Sequence, residues 1–364
     1  MKYLFIIQGE GRGHLTQAIS MAEMLRRNGD EVTEVLIGKA NTITIPDFFR
    51  EKIQSPLSVF ESPGFLFSPK SKKTVLLKSI IHNLVKLPVY IKNIRFLRKK
   101  INESNADMVV NFYEVITGFT YAFTRPNKPY VCVAHQYLFF HHEFIFPKKS
   151  KLQLAALKFF TRLTCFRAKK LLALSFRPMS DCGKIRVVPP LMRSEVRNQT
   201  PQEGNYVLGY MLNAGFAEQI TEWHERNKNV PLHFFWDKKD APAELKIDDT
   251  LTFHRLNDSK FVQMMASCRA YATTGGFESV CEALYLQKPA MMIPVHIEQE
   301  CNAFDAMHSG AGIASEEFDL TKLLRFLPVY RPDTSFPEWV NGADDFFLKE
   351  LKTETRKRIW RKTA

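Results

Sequence analysis

A cluster of polar side chains follows two adjacent glycines in residues 273–303, TTGGFESVCEALYLQKPAMMIPVHIEQECNA. The mainly apolar residues 268–272 predict a buried strand, and a helical pattern begins after Gly275 and Gly276. Glycines at such a turn let the backbone approach a ligand, and the unpaired amides of a helix N-terminus attract an anion such as a diphosphate. The segment therefore predicts a site for a phosphorylated ligand.

The helix after the glycines carries Glu278 and Glu282 on one face. At a rise of roughly 1.5 Å per residue, Glu282 lies about 6 Å further along the helix, a reach that suits a ribose whose phosphates occupy the N-terminus. A carboxylate can accept hydrogen bonds from both ribose hydroxyls. Gln299 and Asn302 add amide donors and acceptors for sugar hydroxyls. Taken singly, each residue also fits a tight turn, a solvated helix face or a helix cap.

This pattern resembles the donor-binding segment of GT-B glycosyltransferases that use nucleotide sugars without a metal ion. Plant-type UDP-glycosyltransferases and the enzyme that adds N-acetylglucosamine in lipid II synthesis share it. The resemblance implies an α/β protein with the GT-B fold: two facing, doubly wound Rossmann-like domains with an interdomain cleft. Its donor-binding positions in this chain are Gly275, Gly276, Phe277, Ser279, Glu282, Gln299 and Asn302.

A second glycine-rich element follows a predicted strand, residues 3–7, and precedes a helical pattern over residues 15–27. It is a poor dinucleotide fingerprint, because His14 stands where the third glycine would be and no acidic residue ends a following strand. A dehydrogenase is therefore disfavoured. The element resembles instead the glycine-histidine loop of the same GT-B enzymes, where the histidine faces the cleft.

The resemblance makes His14 the catalytic candidate, as a general base that deprotonates an acceptor hydroxyl. In other enzymes of this kind the histidine only contacts the phosphates or the acceptor, and a structural histidine at a helix start is a further alternative. Gly11, Arg12 and Gly13 are candidates for phosphate or acceptor contacts.

Length and composition allow two domains, because 364 residues with 45% hydrophobic content suffice for two cores. Apolar runs alternate with helical segments, as in parallel sheets with crossover helices. The runs include residues 108–112, 130–134, 206–210 and 232–236. Pro189 and Pro190 predict a boundary between an acceptor domain, residues 1–190, and a donor domain, residues 191–343. Residues 344–364 predict a charged helix, which in GT-B enzymes crosses back to the first domain.

Two residues at predicted strand ends of the first domain are candidates for phosphate or acceptor contacts. His135 follows one strand and Glu114 another, and ligand residues of such sheets lie at the carboxyl ends of strands. The chain also departs from the resemblance. Asn111 stands where we expect an aspartate, and residues 211–215 replace a second glycine-serine phosphate loop.

The charge distribution favours a membrane partner. The net charge is +13, and residues 62–102 contain no acidic residue but ten Lys and Arg, beginning at Lys70 and ending at Lys100. Residues 144–180 carry nine more, from Lys148 to Arg177. Aliphatic residues alternate with these charges, which predicts basic amphipathic helices. Such helices bind anionic lipid, and each basic residue contributes on the order of 1 kcal/mol.

The same stretches also fit ordinary helices whose apolar faces join the core. Nucleic acid fits the charge too, but the basic residues alternate with aliphatic rather than stacking aromatic side chains, so we expect no nucleic-acid partner. No apolar run reaches the roughly 18 residues of a membrane-spanning helix, and the run at the start of the chain is too short for a signal peptide. We expect a cytoplasmic protein bound peripherally to the inner face of the cell membrane.

We expect no cofactor and no metal ion. The six cysteines show no zinc spacing and are expected to be reduced and structural. His141, His142 and Glu143 invite a metal interpretation, but their spacing fits no common zinc site. The chain also contains no Asp-x-Asp triplet, which enzymes of the other major glycosyltransferase fold use to bind a cation.

The resemblance implies an inverting, metal-independent transfer of a sugar from a nucleotide sugar, with UDP as the expected nucleotide, to a lipid or lipid-linked acceptor. One alternative is a nucleotide-sugar epimerase of the same fold, which needs no second substrate. Another is a noncatalytic scaffold subunit that binds nucleotide sugars. The sequence does not determine the donor sugar, the acceptor or the oligomeric state.

Overall fold

A computed structural model describes residues 1–40, 43–64, 82–211, 214–238, 240–274 and 276–363, with the side chains of the last helix described as far as Thr353. Gly275 and the first part of the basic stretch that begins at Lys70 lie outside these residues. The chain divides into two compact units. Unit 1 comprises Met1–Phe144, Lys149–Leu191 and Asn341–Ala364, and unit 2 comprises Ile145–Lys148 and Met192–Val340.

Unit 1 is built on a seven-stranded sheet with the order β3-β2-β1-β4-β5-β6-β7, in which every neighbouring pair is parallel. The central strands are buried on both faces, which fits their mainly apolar sequences. The strands are β1 Lys2–Gln8, β2 Glu31–Lys39, β3 Leu57–Glu61, β4 Met108–Phe112, β5 Tyr130–Ala134, β6 Leu171–Leu174 and β7 Ile185–Val188.

Helices connect these strands, as parallel pairing requires. They are α1 Gly13–Arg27, α2 Asp47–Ile53, α3 Leu87–Glu103, α4 Val115–Thr124 and α5 Lys151–Thr164, with a 3-10 helix at His135–Phe140. The strand order reverses between β1 and β4, which are neighbours although two strands, β2 and β3, separate them in sequence. A crevice forms at the carboxyl ends of two such strands, because their connections leave in opposite directions.

Unit 2 contains a second seven-stranded sheet with the order β10-β11-β9-β8-β12-β13-β14, parallel except for the pair β10 and β11. Its strands are β8 Val207–Met211, β9 Leu232–Trp236, β10 Glu244–Lys246, β11 Leu251–Arg255, β12 Ala270–Thr273, β13 Ala290–Met292 and β14 Gly312–Ala314. The order reverses between β8 and β12, which places a second crevice at their carboxyl ends.

The helices of this part of the chain are α6 Ser194–Arg197, α7 Ala217–Glu225, α8 Asp258–Ser267, α9 Phe277–Tyr285, α10 Ile297–His308, α11 Leu320–Phe326 and α12 Ser335–Asn341, with 3-10 helices at Ala214–Phe216 and Leu327–Val329. The core on one face of the sheet is aromatic and includes Phe234, Phe253 and Phe318. A Cβ atom at Gly209 would lie 2.0 Å from the Phe234 ring, so β8 must have glycine there.

The last helix, α13 Ala343–Thr363, belongs to unit 1. Lys170 donates to the Glu350 carbonyl at 2.9 Å and to its carboxylate at 2.7 Å, and both side chains are largely buried. Arg27 pairs with Asp344 at 2.8 Å. These ion pairs attach α13 to the end of α1 and to the start of β6.

The two-sheet α/β fold predicted from the sequence is confirmed. The predicted strands at 108–112, 130–134 and 232–236 have the observed bounds, and the first helix begins two residues earlier than predicted, at Gly13. The predicted boundary after Pro190 lies one residue before the change of unit at Leu191. In the described ranges, no helix has both the length and the apolar character needed to cross a bilayer.

Candidate functional site

The loop between β1 and α1 requires glycine for two different reasons. A Cβ atom at Gly9 would lie 2.7 Å from Ile37 Cγ2, and Gly11 has a φ of +81°, which L side chains rarely adopt. Arg12 is the N-cap residue of α1, and its guanidinium lies over the Phe48 ring at 5.1 Å from the centroid. The loop therefore leaves the start of α1 uncrowded by side chains.

His14, in the first turn of α1, has a defined orientation. Its Nδ1 lies 3.2 Å from the Oε1 atom of Gln17, which is buried. An amide oxygen can only accept a hydrogen bond, so this contact fits the neutral tautomer that has its hydrogen on Nδ1 and its lone pair on Nε2. The ring also stacks on Tyr113, with centroids 5.3 Å apart and an interplanar angle of 26°. Nε2 is therefore the atom that can take a proton from a ligand.

Tyr113, directly after β4, fixes the other side of this crevice. It has a φ of +60°, which is unusual for a residue with a large side chain. Its hydroxyl lies 2.8 Å from Thr161 Oγ1 on α5. Tyr137 and Phe160 pack edge-on against its ring. These contacts hold the strained residue, and with it the surface on which His14 stacks.

Glu114 lies next to Tyr113, where it caps α4. It is fully buried, and its carboxylate accepts from Ile116 N at 2.9 Å, Thr117 N at 2.6 Å, Thr117 Oγ1 at 2.6 Å and Ser62 Oγ at 2.7 Å. Burial raises the pKa of Glu114, and these hydrogen bonds oppose the rise. The structure therefore gives the carboxylate an internal role, and its predicted contact with a phosphate or acceptor stays a prediction.

Asn111, where an aspartate was expected, uses both ends of its amide. Its Oδ1 accepts from Glu114 N at 3.0 Å, and its Nδ2 donates to the Glu114 carbonyl at 3.1 Å and the Thr164 carbonyl at 2.9 Å. An ionised carboxylate can only accept hydrogen bonds. Asn111 therefore joins β4 to the ends of α4 and α5 in a way that an ionised aspartate would not.

His135 is buried at the end of β5, and its Nδ1 donates to the Leu174 carbonyl at 2.8 Å. Phe139, Phe144 and Phe176 pack edge-on against the ring. The predicted position at a strand end is therefore correct, but the ring is enclosed by aromatic side chains. Its role in acceptor binding stays a prediction.

His141, His142 and Glu143 lie close enough to share an ion in principle. However, His141 Nδ1 accepts from Glu143 N at 3.1 Å, and its Nε2 lies 2.7 Å from the Ser180 carbonyl. Both ring nitrogens of the buried member are thus engaged with protein groups, so neither is available as a ligand. His141 therefore anchors a loop, and the expected absence of a metal ion stays a prediction.

The predicted diphosphate loop connects β12 to α9 in unit 2. Gly276 is the N-cap of α9. Its φ of −68° is one that any residue can adopt, so glycine matters here because it has no side chain. Of the described atoms, only Ser279 Oγ, at 3.9 Å, would lie near a Cβ placed there. Phe277 is buried in the first turn, and Ser279 Oγ lies 3.4 Å from the Gly276 carbonyl. The absence of a side chain at Gly276 therefore leaves space beside the start of α9, where helix amides attract an anion.

Glu282, predicted to bind the ribose, is buried on α9 in an ion pair that the sequence analysis did not anticipate. Arg193 Nε and Nη2 lie 2.7 Å and 2.6 Å from Glu282 Oε1. Burial raises the pKa of Glu282, and the charge of Arg193 lowers it. Arg193 follows the proline pair at the predicted domain boundary, and nothing in its sequence position indicates a partner on α9.

The two amides predicted to contact the sugar lie on α10. Gln299 Oε1 accepts from Val295 N at 2.9 Å, and His296 caps the backbone amide of Gln299 at 3.4 Å. Asn302 is buried, and no group in the described part of the chain donates to its Oδ1. A buried acceptor without a donor costs about 1–3 kcal/mol, so a ligand hydroxyl at this atom would stabilise it.

The structure thus forms two groups of predicted residues. In unit 1, His14 and Glu114 lie at the reversal between β1 and β4, together with Gln17 and Tyr113, which sequence reasoning missed. In unit 2, Gly276, Phe277, Ser279 and Glu282 lie on the connection after β12, and α10, which carries Gln299 and Asn302, contacts α9. Both groups are at positions where doubly wound sheets bind ligands.

A family model described as glycosyl transferase family 1 matches residues 1–330 of the chain. No curated protein sequence matches the chain.

Several solved structures resemble it along nearly their whole length. The glycosyltransferase of kitacinnamycin is 13% identical, with 97% of this chain and 98% of that chain covered and a TM-score of 0.61. The spinosyn forosaminyltransferase SpnP is 12% identical, with 98% and 99% covered and a TM-score of 0.61. Arabidopsis thaliana UGT89C1, solved with UDP-L-rhamnose, is 14% identical, with 97% and 98% covered and a TM-score of 0.59. At these identities the likeness shows the fold, which is GT-B.

The cap formed by Glu114 yields a stability prediction. Glu114→Ala removes the acceptor of four donor groups, so we expect the free energy of unfolding to fall by about 2 kcal/mol or more. Chemical denaturation measures this change, with Glu103→Ala at the exposed end of α3 as the control. Unchanged stability of Glu114→Ala would show that the carboxylate is not needed as a cap.

Proposed function

Because the chain belongs to glycosyl transferase family 1 and is a GT-B glycosyltransferase that uses nucleotide sugars, we propose a specific reaction for it. The enzyme transfers the sugar of a UDP-sugar to a lipid or lipid-linked acceptor at a membrane surface. The transfer inverts the anomeric centre and requires no metal ion. The protein acts on the cytoplasmic side as a peripheral membrane protein.

The observation that carries the donor assignment is the open start of α9 with Glu282 on the same helix. The helix N-terminus attracts a diphosphate, and Glu282 lies further along it at the distance of a ribose. Asn302 Oδ1 adds a buried acceptor to which no described group donates. UGT89C1, with the same fold, was solved with UDP-L-rhamnose, which supports UDP as the nucleotide.

His14 is proposed as the general base. Because its Nδ1 donates to Gln17, Nε2 has the lone pair that can remove the proton of an acceptor hydroxyl. The hydroxyl oxygen then attacks the anomeric carbon as the bond to the nucleoside diphosphate breaks. The amides at the start of α9 stabilise the charge on the leaving diphosphate, which is the role usually given to a cation.

The lipid acceptor and the membrane surface are supported by α3 and α5 of unit 1. Helix α5 buries only Thr161 and Thr164, while Leu152 is 80% exposed and Phe159 is 64% exposed. Lys158 and Arg162 line, with Phe159, an open groove of about 450 Å³. An ordinary core helix would bury its apolar residues, so this arrangement favours an anionic lipid surface.

Helix α3 and the turn before it show the same combination of side chains. Their exposed apolar residues are Leu84, Val85, Leu87, Val89 and Ile91. Lys92, Arg95, Arg98 and Lys99 are exposed on the same helix. The helix buries Tyr90, Leu97 and Ile101 against the unit, so its outer surface has both apolar and basic character.

Nucleotide binding tests the donor assignment first. We expect calorimetry in buffer with EDTA to show selective binding of UDP over GDP, dTDP and CDP. Glu282→Ala should weaken UDP binding by about 10- to 100-fold, because a charge-assisted hydrogen bond to the ribose is lost. Glu317→Ala serves as the control. No binding of any nucleotide would overturn the proposed reaction.

The role of His14 is tested by turnover. His14→Ala should lower the rate of transfer by about 10²- to 10⁴-fold and leave the affinity for UDP nearly unchanged, because a general base acts in the chemical step. Transfer is followed with a radiolabelled UDP-sugar and membrane lipid extract, with the exposed His142→Ala as the control. An unchanged rate in His14→Ala would exclude it as the base.

Vesicle cosedimentation tests the membrane surface. Binding should increase with the fraction of phosphatidylglycerol, and the double variant K158Q/R162Q should lower the partition coefficient by about tenfold or more. Leu152→Gln and Phe159→Gln should also reduce binding, whereas Val329→Gln, an exposed apolar residue of unit 2, should not. Binding independent of lipid charge would contradict the proposal.

A further inference from the structure

Arg193 directly precedes α6, a helical turn that contacts both α8 and α9. Its side chain is 6% exposed, Nε donates to Glu282 Oε1 at 2.7 Å, and Nη2 lies 2.6 Å from the same oxygen. Its third nitrogen, Nη1, lies 4.0 Å from Asp258 Oδ1 at the start of α8. Two nitrogens on one oxygen differ from the usual fork geometry, in which an arginine engages both carboxylate oxygens.

This geometry leaves Glu282 Oε2 for another partner. In the described ranges the hydrogen bonds to the Glu282 carboxylate come from Arg193 alone, and all of them reach Oε1. The side chain is 4% exposed, so water has little access to the carboxylate. Oε2 is therefore the oxygen of Glu282 that can accept a hydrogen bond from a ligand.

Apart from Arg193, the surroundings of Glu282 oppose the ionisation of its carboxyl group. Burial and the charges of Asp258 and Glu195 raise the pKa of Glu282, whereas the charge and hydrogen bonds of Arg193 lower it. For Arg193, burial lowers the pKa, but Glu282 and Asp258 outweigh this effect. The other titratable groups that interact with Glu282 are Tyr271 on β12 and Cys281 on α9. Arg193 is therefore the cation that favours the charged form.

We infer that Arg193 is a positioning residue for the nucleotide: it keeps the Glu282 carboxylate ionised and turned so that Oε2 accepts a hydrogen bond from a ribose hydroxyl. This inference rests on the proposed donor site. Arg193 itself does not touch the nucleotide. Its effect on binding therefore acts through Glu282 and requires the ribose hydroxyls.

Two other roles for Arg193 predict different results. A purely structural ion pair would affect folding stability without changing how the protein discriminates between nucleotides. Direct contact with the diphosphate would make the loss of affinity independent of the ribose hydroxyls. The inferred role instead couples Arg193 to Glu282 and to those hydroxyls.

The coupling is measured with UDP and 2′,3′-dideoxy-UDP. Arg193→Met should weaken the binding of UDP by about tenfold at neutral pH, because Glu282 loses the cation that favours its charged form. It should change the binding of dideoxy-UDP by less than about twofold, because that ligand lacks the hydroxyls that Glu282 binds. Arg193→Lys retains the charge and should restore part of the affinity for UDP.

The pH dependence supplies a readout that a structural role would not move. Without Arg193 the pKa of Glu282 rises further, so the carboxyl is protonated to a larger extent and its charged fraction recovers as the pH increases. The ratio of UDP affinities, Arg193→Met to the unmodified protein, should therefore increase with pH. The diphosphate of UDP titrates equally in both measurements, so its effect cancels in this ratio. In the double variant R193M/E282Q the ratio should be independent of pH.

The results separate this inference from the proposed function. If the unmodified protein binds none of the nucleotides, the proposed donor site fails and the inference fails with it. If it binds UDP, but Arg193→Met weakens UDP and dideoxy-UDP equally at all pH values, only the inference is overturned. Thermal unfolding is recorded for each variant. If Arg193→Met does not fold, Arg193→Lys and Glu282→Gln carry the same comparison of the two ligands.

Discussion

The reversal of strand order in each sheet is the constraint on which the functional residues depend. At β1 and β4, and again at β8 and β12, the connections of two neighbouring parallel strands leave in opposite directions. No secondary-structure element can fill the space at their carboxyl ends, so a crevice is unavoidable. The glycine loops and helix starts that resemble a glycosyltransferase site lie at these two positions. The topology determines where the crevices lie, and the side chains determine which ligands can bind there.

The two crevices use buried polar groups in different ways. At the end of β4, Asn111 and Glu114 have protein partners for almost every polar atom, so this region is rigid and holds Tyr113 in its strained conformation. In unit 2, Asn302 Oδ1 is buried and receives no hydrogen bond from any described group, and the contacts of Arg193 with Glu282 reach Oε1 rather than Oε2. Polar groups that have their hydrogen-bond partners within the protein hold the backbone in place. An acceptor that lacks a donor can instead bind a hydroxyl group of a ligand.

The features that were predicted from the sequence are those encoded locally. Continuous apolar runs indicated the central strands, and Gly275 and Gly276 between a strand and a helix indicated the donor loop. The ion pair of Arg193 and Glu282 was not predictable, because its partners are separated by 89 residues and each looks solvent-exposed in its own segment. The positive φ of Tyr113 was not predictable either. Contacts from α5 maintain it, and the residue is neither the glycine nor the asparagine that usually indicates such a conformation. Periodicity revealed an apolar face on α5, but it could not show that the protein leaves that face uncovered.

The position of α13 has a consequence for the order of synthesis. Unit 2 is an insertion, because unit 1 begins before it and resumes after it at Asn341. A ribosome therefore completes all of unit 2 before the chain can supply Glu350, the partner of the buried Lys170. Until then, Lys170 lacks the ion pair with Glu350 that it forms in the folded protein. The inserted unit can become compact first, and the unit that starts the chain is the last to be finished.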